Sequence, residues 1–320
     1  MLVNRPEEHS HWDVVGPDQT KSLELWMKEV IGVESIEYRG DLDGPDLLGP
    51  GTVVIANYDW IVNAIYHPLR GGFRRLWRLI RQAQALGVPI WCHNGDLFSI
   101  RYSFYTSLLA GLTGGATVFL QNTIAQAKRF GIANPSAPHF WIFPPSIQTL
   151  WTSNQRLEDR EPLVLIAQSG DQRRRDYFEP AFPRFESFGY VAQGTEQKLG
   201  WEEYQSLVKS SRIICTTSWL QPLFLKGPPR FQNRLADGII THRVLEAFSV
   251  GALLVTNPID ALSALGFYPG IHYVAAPRKK TDWEAWELPV ERQILEIADN
   301  GHQQFLLLLR GEWREHNVEI

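Results

Sequence analysis

The chain alternates short, uninterrupted apolar runs with longer stretches in which apolar residues recur at helical spacing, a pattern that reads as repeated β-α-β units. Runs at 52–56 (TVVIA), 88–92 (VPIWC), 116–120 (ATVFL) and 139–143 (HFWIF) predict four strands. A second series at 163–167 (LVLIA), 190–192, 212–216 (RIICT), 252–255 (ALLV) and 272–275 (HYVA) predicts five more. Runs without polar interruption suit parallel strands covered on both faces. Helices are predicted at 21–30, 70–86, 103–113, 124–130, 201–209, 241–250 and from about 289 to the end.

Two of these helices carry informative polar sides. In 70–86, Phe73, Leu76, Trp77, Ile80, Ala83 and Leu86 form the apolar stripe, Gly87 is the stop, and the polar side holds Arg74, Arg75, Arg78 and Arg81 with no acid among them. Such a helix suits peripheral contact with anionic lipid or an anionic acceptor. In 241–250, Val244, Leu245, Ala247 and Phe248 form the stripe, His242, Arg243 and Glu246 gather on the other side, and Gly251 stops the helix. Residues 1–20 are polar and read as peripheral, 146–162 read as a crossing between domains, and 218–238 read as a long loop carrying Lys226, Arg230 and Arg234.

At 320 residues the chain exceeds a single core. The pattern divides it into Rossmann-like domains at 1–150 and 151–300, with a helical tail at 301–320. A net charge of -4 gives no general reason to bind nucleic acid. No window reaches the length of a membrane span, and the first residues lack the apolar core of a signal peptide, so the expected location is cytoplasmic, with the basic helix suited to the inner membrane surface. The only cysteines, Cys92 and Cys215, end apolar runs and read as buried thiols, neither a disulfide framework nor a zinc site. Twelve scattered tryptophans suit core packing, with carbohydrate or base stacking as a second use.

Polar residues directly after parallel strands stand at the ligand edge of an open α/β sheet. Asp59 follows the first strand, and His93 and Asp96 follow the second. No Gly-x-Gly-x-x-Gly or Walker sequence follows any strand, which weighs against a dehydrogenase and a P-loop enzyme.

WEEYQSLVKSSRIICTTS, a long loop and THRVLEAFSVGALLVTNP together resemble the carboxyl-terminal half of GT-B glycosyltransferases, in particular the CgeB-like and related group-1 branch. Exostosin-type transferases share a similar Arg-x-x-Glu-Ala core. The resemblance rests on these motifs over roughly 60 residues and on element order alone over the remainder. It implies a GT-B fold of two Rossmann-like domains facing across a cleft, and a metal-independent transferase of polysaccharide biosynthesis that needs no cofactor.

The donor would be a UDP- or GDP-linked sugar and the acceptor a glycan, a lipid-linked group or a protein, with no nucleic acid partner. Glu246 would read the ribose, and Arg243 would meet phosphate or support Glu246. Further donor contacts would come from Arg173, Arg174, Lys198, Thr195, His242 and Asn257. The base would be Asp96, then His93 or Asp59. Gly238 stands where many retaining members carry a second glutamate, with Asp237 adjacent but out of register, so the stereochemistry stays open. A non-catalytic nucleotide- or partner-binding relative and a sugar-nucleotide epimerase are the alternatives.

Overall fold

The structure, a computed structural model, describes residues 2–4, 37–39, 48, 54–57, 72–88, 90–93, 101–115, 117–120, 135–136, 155–166, 172–194, 201–217, 240, 242–277 and 280–310. Those up to 136 belong to one compact unit and those from 155 onward to another.

The first unit contains β1 (Leu2–Asn4), β2 (Glu37–Arg39), β3 (Val54–Asn57), α1 (Gly72–Leu86), β4 (Ile90–His93), α2 (Arg101–Leu112), β5 (Thr117–Leu120) and β6 (Pro135–Ser136). Its sheet runs β2-β1-β3-β4-β5-β6 with parallel neighbours throughout. The peripheral reading of residues 1–20 is corrected at its start. Val3 lies between Tyr38 and Ile55, which makes β1 an interior strand. A three-residue run, LVN, has too few apolar positions to register as a strand, and its partners are distant in sequence.

A second correction concerns α1. Leu76, Leu79, Ile80 and Ala83 are buried, whereas Phe73, Trp77 and Leu86, expected on the same stripe, are exposed. The core stripe is therefore narrower than the periodicity implies. The helix ends as expected: Gly87 adopts φ 63°, and the Val88 amide donates back to Ala83 O at 2.9 Å. The expected helices at 21–30 and 124–130 and the strand at 139–143 lie outside the described residues, as does the 218–238 loop.

The second unit contains β7 (Leu163–Ile166), α3 (Gln172–Phe178), α4 (Phe182–Ser187), β8 (Val191–Gly194), α5 (Trp201–Ser210), β9 (Ile213–Cys215), α6 (His242–Ser249), β10 (Leu253–Thr256), α7 (Asp260–Ala264), β11 (Val274–Ala275) and α8 (Glu291–Leu309). Its order is β11-β10-β9-β7-β8, again parallel. Numbered from its own first strand, each sheet reads 2-1-3-4-5, with a sixth strand added in the first unit. The chain reverses its direction of travel across the sheet between β1 and β3, and again between β7 and β9. Those are the switch points at which doubly wound sheets leave a crevice.

Every residue of β7, β9 and β10 is buried, as their uninterrupted apolar runs require. One face of the sheet (Val164, Ile166, Ile213, Cys215, Leu253, Val255) packs with Tyr177, Phe178, Phe185, Trp283, Trp286 and Ile294. Two tryptophans therefore serve the core. Trp283 sits edge-on to Trp286 at 4.9 Å, and Trp286 Nε1 donates to Ala275 O at 3.0 Å. Alternation of side chains sends Leu165, Ile214 and Leu254 to the opposite face. Right-handed crossovers put α5 and α6 on that face, α5 packing on β7 and α6 on β10.

α8 packs on α6 and β10, runs unbroken through residue 301 and buries Gly301, Gln304, Phe305, Leu308 and Leu309. At the amino edge, Arg160 donates from Nη1 to Ser211 O at 3.2 Å, and from Nη2 to Gln155 O at 3.1 Å and to Val250 O. Ser211 and Val250 follow the last residues of α5 and α6, so one cation serves two helix carboxyl ends. Burial pulls this guanidinium down to about 10. Arg212 donates to Arg160 O at 2.9 Å and pairs with Glu291 at 3.0 Å, and Tyr190 Oη donates to the other Glu291 oxygen at 2.8 Å.

Candidate functional site

A helix in a right-handed β-α-β unit runs antiparallel to its strands. The N-termini of α5, which leads into β9, and of α6, which leads into β10, therefore open onto the carboxyl edge of the second sheet. Tyr204 lies in the first turn of α5, Arg243 is the second residue of α6, and Glu246 follows one turn later.

These three side chains form one cluster. Arg243 Nη1 donates to Glu246 Oε2 at 3.0 Å and to Oε1 at 3.1 Å. Tyr204 Oη donates to Oε2, and the Arg243 guanidinium lies 4.1 Å over the centre of the Tyr204 ring. The Glu246 side chain is 4% exposed and that of Arg243 17%. The sequence places Glu246 on the outward polar side of α6. The structure instead buries it, because Tyr204 of α5 covers that side and Arg243 neutralises it.

Electrostatics tie the three together. Burial works against the Arg243 charge, but the adjacent Glu246 carboxylate outweighs it, and the guanidinium is held above its ordinary value. Burial, followed by the same carboxylate, pushes the Tyr204 hydroxyl well up.

Two hydroxyls lie at the same edge. Register sets Val255 beside Cys215, so Thr256 and Thr216, one residue further along, come level on neighbouring strands. Both are fully buried, and neither hydroxyl has a hydrogen-bond partner. Side-chain alternation puts them on the face that α5 and α6 cover. Asn257 follows, also buried, its Nδ2 3.4 Å from Pro258 O.

The helix carrying the site stops cleanly. Gly251, with φ 65°, lets its own amide reach Phe248 O at 3.1 Å and the Ala252 amide reach Ala247 O at 3.0 Å, and the chain turns directly into β10. The strand follows without a slack residue, which fixes Glu246 relative to the sheet.

The remaining candidates fall as follows. His242 is the first residue of α6, and Arg173 and Arg174 lie in the first turn of α3, the helix after β7. His93 ends β4, level with Asn57 and Leu120 at the carboxyl edge of the first sheet. Asp59, Asp96, Thr195 and Lys198 lie outside the described residues. Arg74, Arg75, Arg78 and Arg81 are exposed on α1. Among the described residues, no three His, Cys, Asp or Glu side chains gather as a metal site requires.

Sequence reasoning missed Tyr204, Thr216 and Thr256. Tyr204 left a signal, because with Val208 it forms the buried stripe of α5 and is its one hydrogen-bonding member. The threonines left none, since their significance depends on register.

Fold and site define a doubly wound α/β protein with a buried ion pair at its ligand edge. No family model and no curated protein matches the chain. Among solved structures it is similar to HepE of Anabaena, crystallised in complex with UDP and glucose, with a TM-score of 0.44, 11% identity and coverage of 97% of each chain.

Proposed function

We propose that the protein is a glycosyltransferase that binds a UDP- or GDP-linked sugar at the carboxyl edge of the second sheet and moves the sugar to a glycan, lipid-linked or protein acceptor without a metal. The observation that carries this reading is the buried Arg243–Glu246 pair stacked on Tyr204. Taking both charges out of water is costly, and an apolar pair would fill the space at less cost. Its placement where open α/β sheets receive ligands favours a functional role over a structural one.

The cluster has the chemistry a nucleoside diphosphate needs. Arg243 offers a fixed cation beside the amides of the α6 N-terminus, which suits phosphate. Glu246 Oε1 takes a hydrogen bond from Arg243 and keeps capacity for a ribose hydroxyl, while Oε2 serves Tyr204 and Arg243. Arg173, Arg174, Lys198, Thr195, His242 and Asn257 complete the donor contacts in this reading.

In the transfer step, an acceptor hydroxyl oxygen bonds to the anomeric carbon as the bond from that carbon to the diphosphate oxygen breaks. The leaving nucleoside diphosphate carries the electron pair, and a base takes the hydroxyl proton. The GT-B resemblance assigns the donor to the second unit, and the acceptor and base to the first, with Asp96 ahead of His93 and Asp59.

The test is a thermal-shift panel of UDP, GDP and their sugar conjugates at millimolar concentration. A ligand at about 100 times its Kd stabilises by about 2.7 kcal/mol, which moves the melting temperature by several degrees. One nucleotide class should produce that shift, and Arg243→Gln should remove it. Silence across the whole panel would sink the proposal.

A further inference from the structure

Glu246 has less to offer a ligand than an open carboxylate has. An ionised carboxylate carries about four lone-pair positions, two on each oxygen. Arg243 Nη1 takes one on Oε2 at 3.0 Å and one on Oε1 at 3.1 Å, and Tyr204 Oη takes the second on Oε2. Oε2 is therefore full, and a single position remains, on Oε1. Burial acts in the same direction, because a side chain only 4% exposed has little surface to present to a pair of donors. The arrangement is also braced. Tyr204 is itself buried, and its ring lies under the guanidinium of Arg243, so swinging the hydroxyl away from Oε2 would break the stack as well as the hydrogen bond.

Two neighbouring hydroxyls on one sugar ring need two acceptor positions to be read together. We propose that Tyr204 is a positioning residue that restricts Glu246 to one hydroxyl of the nucleotide ribose, so that the site discriminates between 2′-deoxy and 3′-deoxy nucleoside diphosphates. The proposal rests on the nucleotide reading of this site and goes beyond it in assigning a limit to Tyr204. The hydroxyl that is read donates to Oε1. Its neighbour meets an Oε2 whose positions Tyr204 and Arg243 already hold, and gains nothing from this carboxylate. Removing the first hydroxyl leaves the buried Oε1 position empty, whereas removing the second leaves every bond to Glu246 in place.

The test is calorimetric titration of the full chain with UDP, 2′-deoxy-UDP and 3′-deoxy-UDP, and with the corresponding GDP series. In the nucleotide class that binds, one deoxy analogue should bind at least about tenfold more weakly than the ribonucleotide, the loss expected of a hydrogen bond to a charged group, and the other within about threefold of it. Tyr204→Phe frees the second position on Oε2 and keeps the ring under the guanidinium. In that variant the analogue the parent tolerates should also fall at least about tenfold below the ribonucleotide. A purely structural role for Tyr204 would change all three affinities by one factor and leave their ratios untouched. The comparison on the parent chain needs no variant, and melting curves will check that Tyr204→Phe keeps the fold. Equal weakening of both analogues in the parent, equal affinity for all three nucleotides, or unchanged ratios in the folded variant would each overturn the proposal and leave the nucleotide reading standing. Binding of neither UDP nor GDP would overturn both.

Discussion

A single nitrogen of Arg243, Nη1, lies within 3.0 and 3.1 Å of both carboxylate oxygens of Glu246, one helical turn away. With both side chains largely out of water, removing either partner leaves an uncompensated charge behind. Glu246→Ala and Arg243→Ala should each cost about 3 kcal/mol in urea unfolding. The double variant should cost clearly less than the sum, with a coupling of about 1–3 kcal/mol. Tyr204→Phe deletes the hydroxyl that donates to the Glu246 carboxylate and keeps the ring under the guanidinium, so a loss of about 1.5–3 kcal/mol is expected. Additive losses would show that the pair is not coupled.

At Gly301 α8 packs directly against its neighbours. A Cβ there would lie 2.6 Å from His272 O and 3.0 Å from the Phe248 ring. A backbone oxygen cannot move aside as a flexible side chain can. Gly301→Ala should therefore destabilise the fold by about 1–3 kcal/mol, although alanine is the better helix former at an unconstrained position. A denaturant midpoint at or above that of the parent would refute this.

His272 gives the stability a pH dependence of defined sign. Burial lowers its imidazole below the ordinary 6.5, and the Tyr268 amide donates to Nδ1 at 2.9 Å, occupying the lone pair there. As pH falls through 6.5 the unfolded chain takes up a proton that the folded chain still refuses. Stability therefore declines from there until the folded group titrates, and above 6.5 this residue contributes no slope. Urea midpoints from about pH 8 to about pH 5 should fall more steeply for the parent than for His272→Asn, which retains an acceptor for the amide. Parallel curves would show that His272 does not contribute.

Strands were the legible part of this sequence. LVLI, IIC and LLV have no polar residue to interrupt them, and such runs fit buried parallel strands of either unit. The run at 2–4 was too short to read in this way. Helix α1 shows what periodicity leaves out: Phe73 and Trp77 have the spacing of core residues, but a stripe drawn from spacing alone does not show where the sheet surface ends. At the site, Arg243 and Glu246 were legible as helix partners because i,i+3 neighbours share a side. Their burial was not legible, since it depends on Tyr204, 42 residues earlier in the chain than Glu246.

Arg160 gives the second unit two unlike ends. At the amino edge its guanidinium joins three carbonyls, and Arg212, Glu291 and Tyr190 extend the network across the starts of neighbouring strands. At the carboxyl edge, a few residues along the same strands, the Thr216 and Thr256 hydroxyls bond to nothing. The two ends of these short strands are therefore held differently, by side-chain bonds to carbonyls at the amino edge and by the Arg243–Glu246–Tyr204 cluster beside two unbonded hydroxyls at the carboxyl edge.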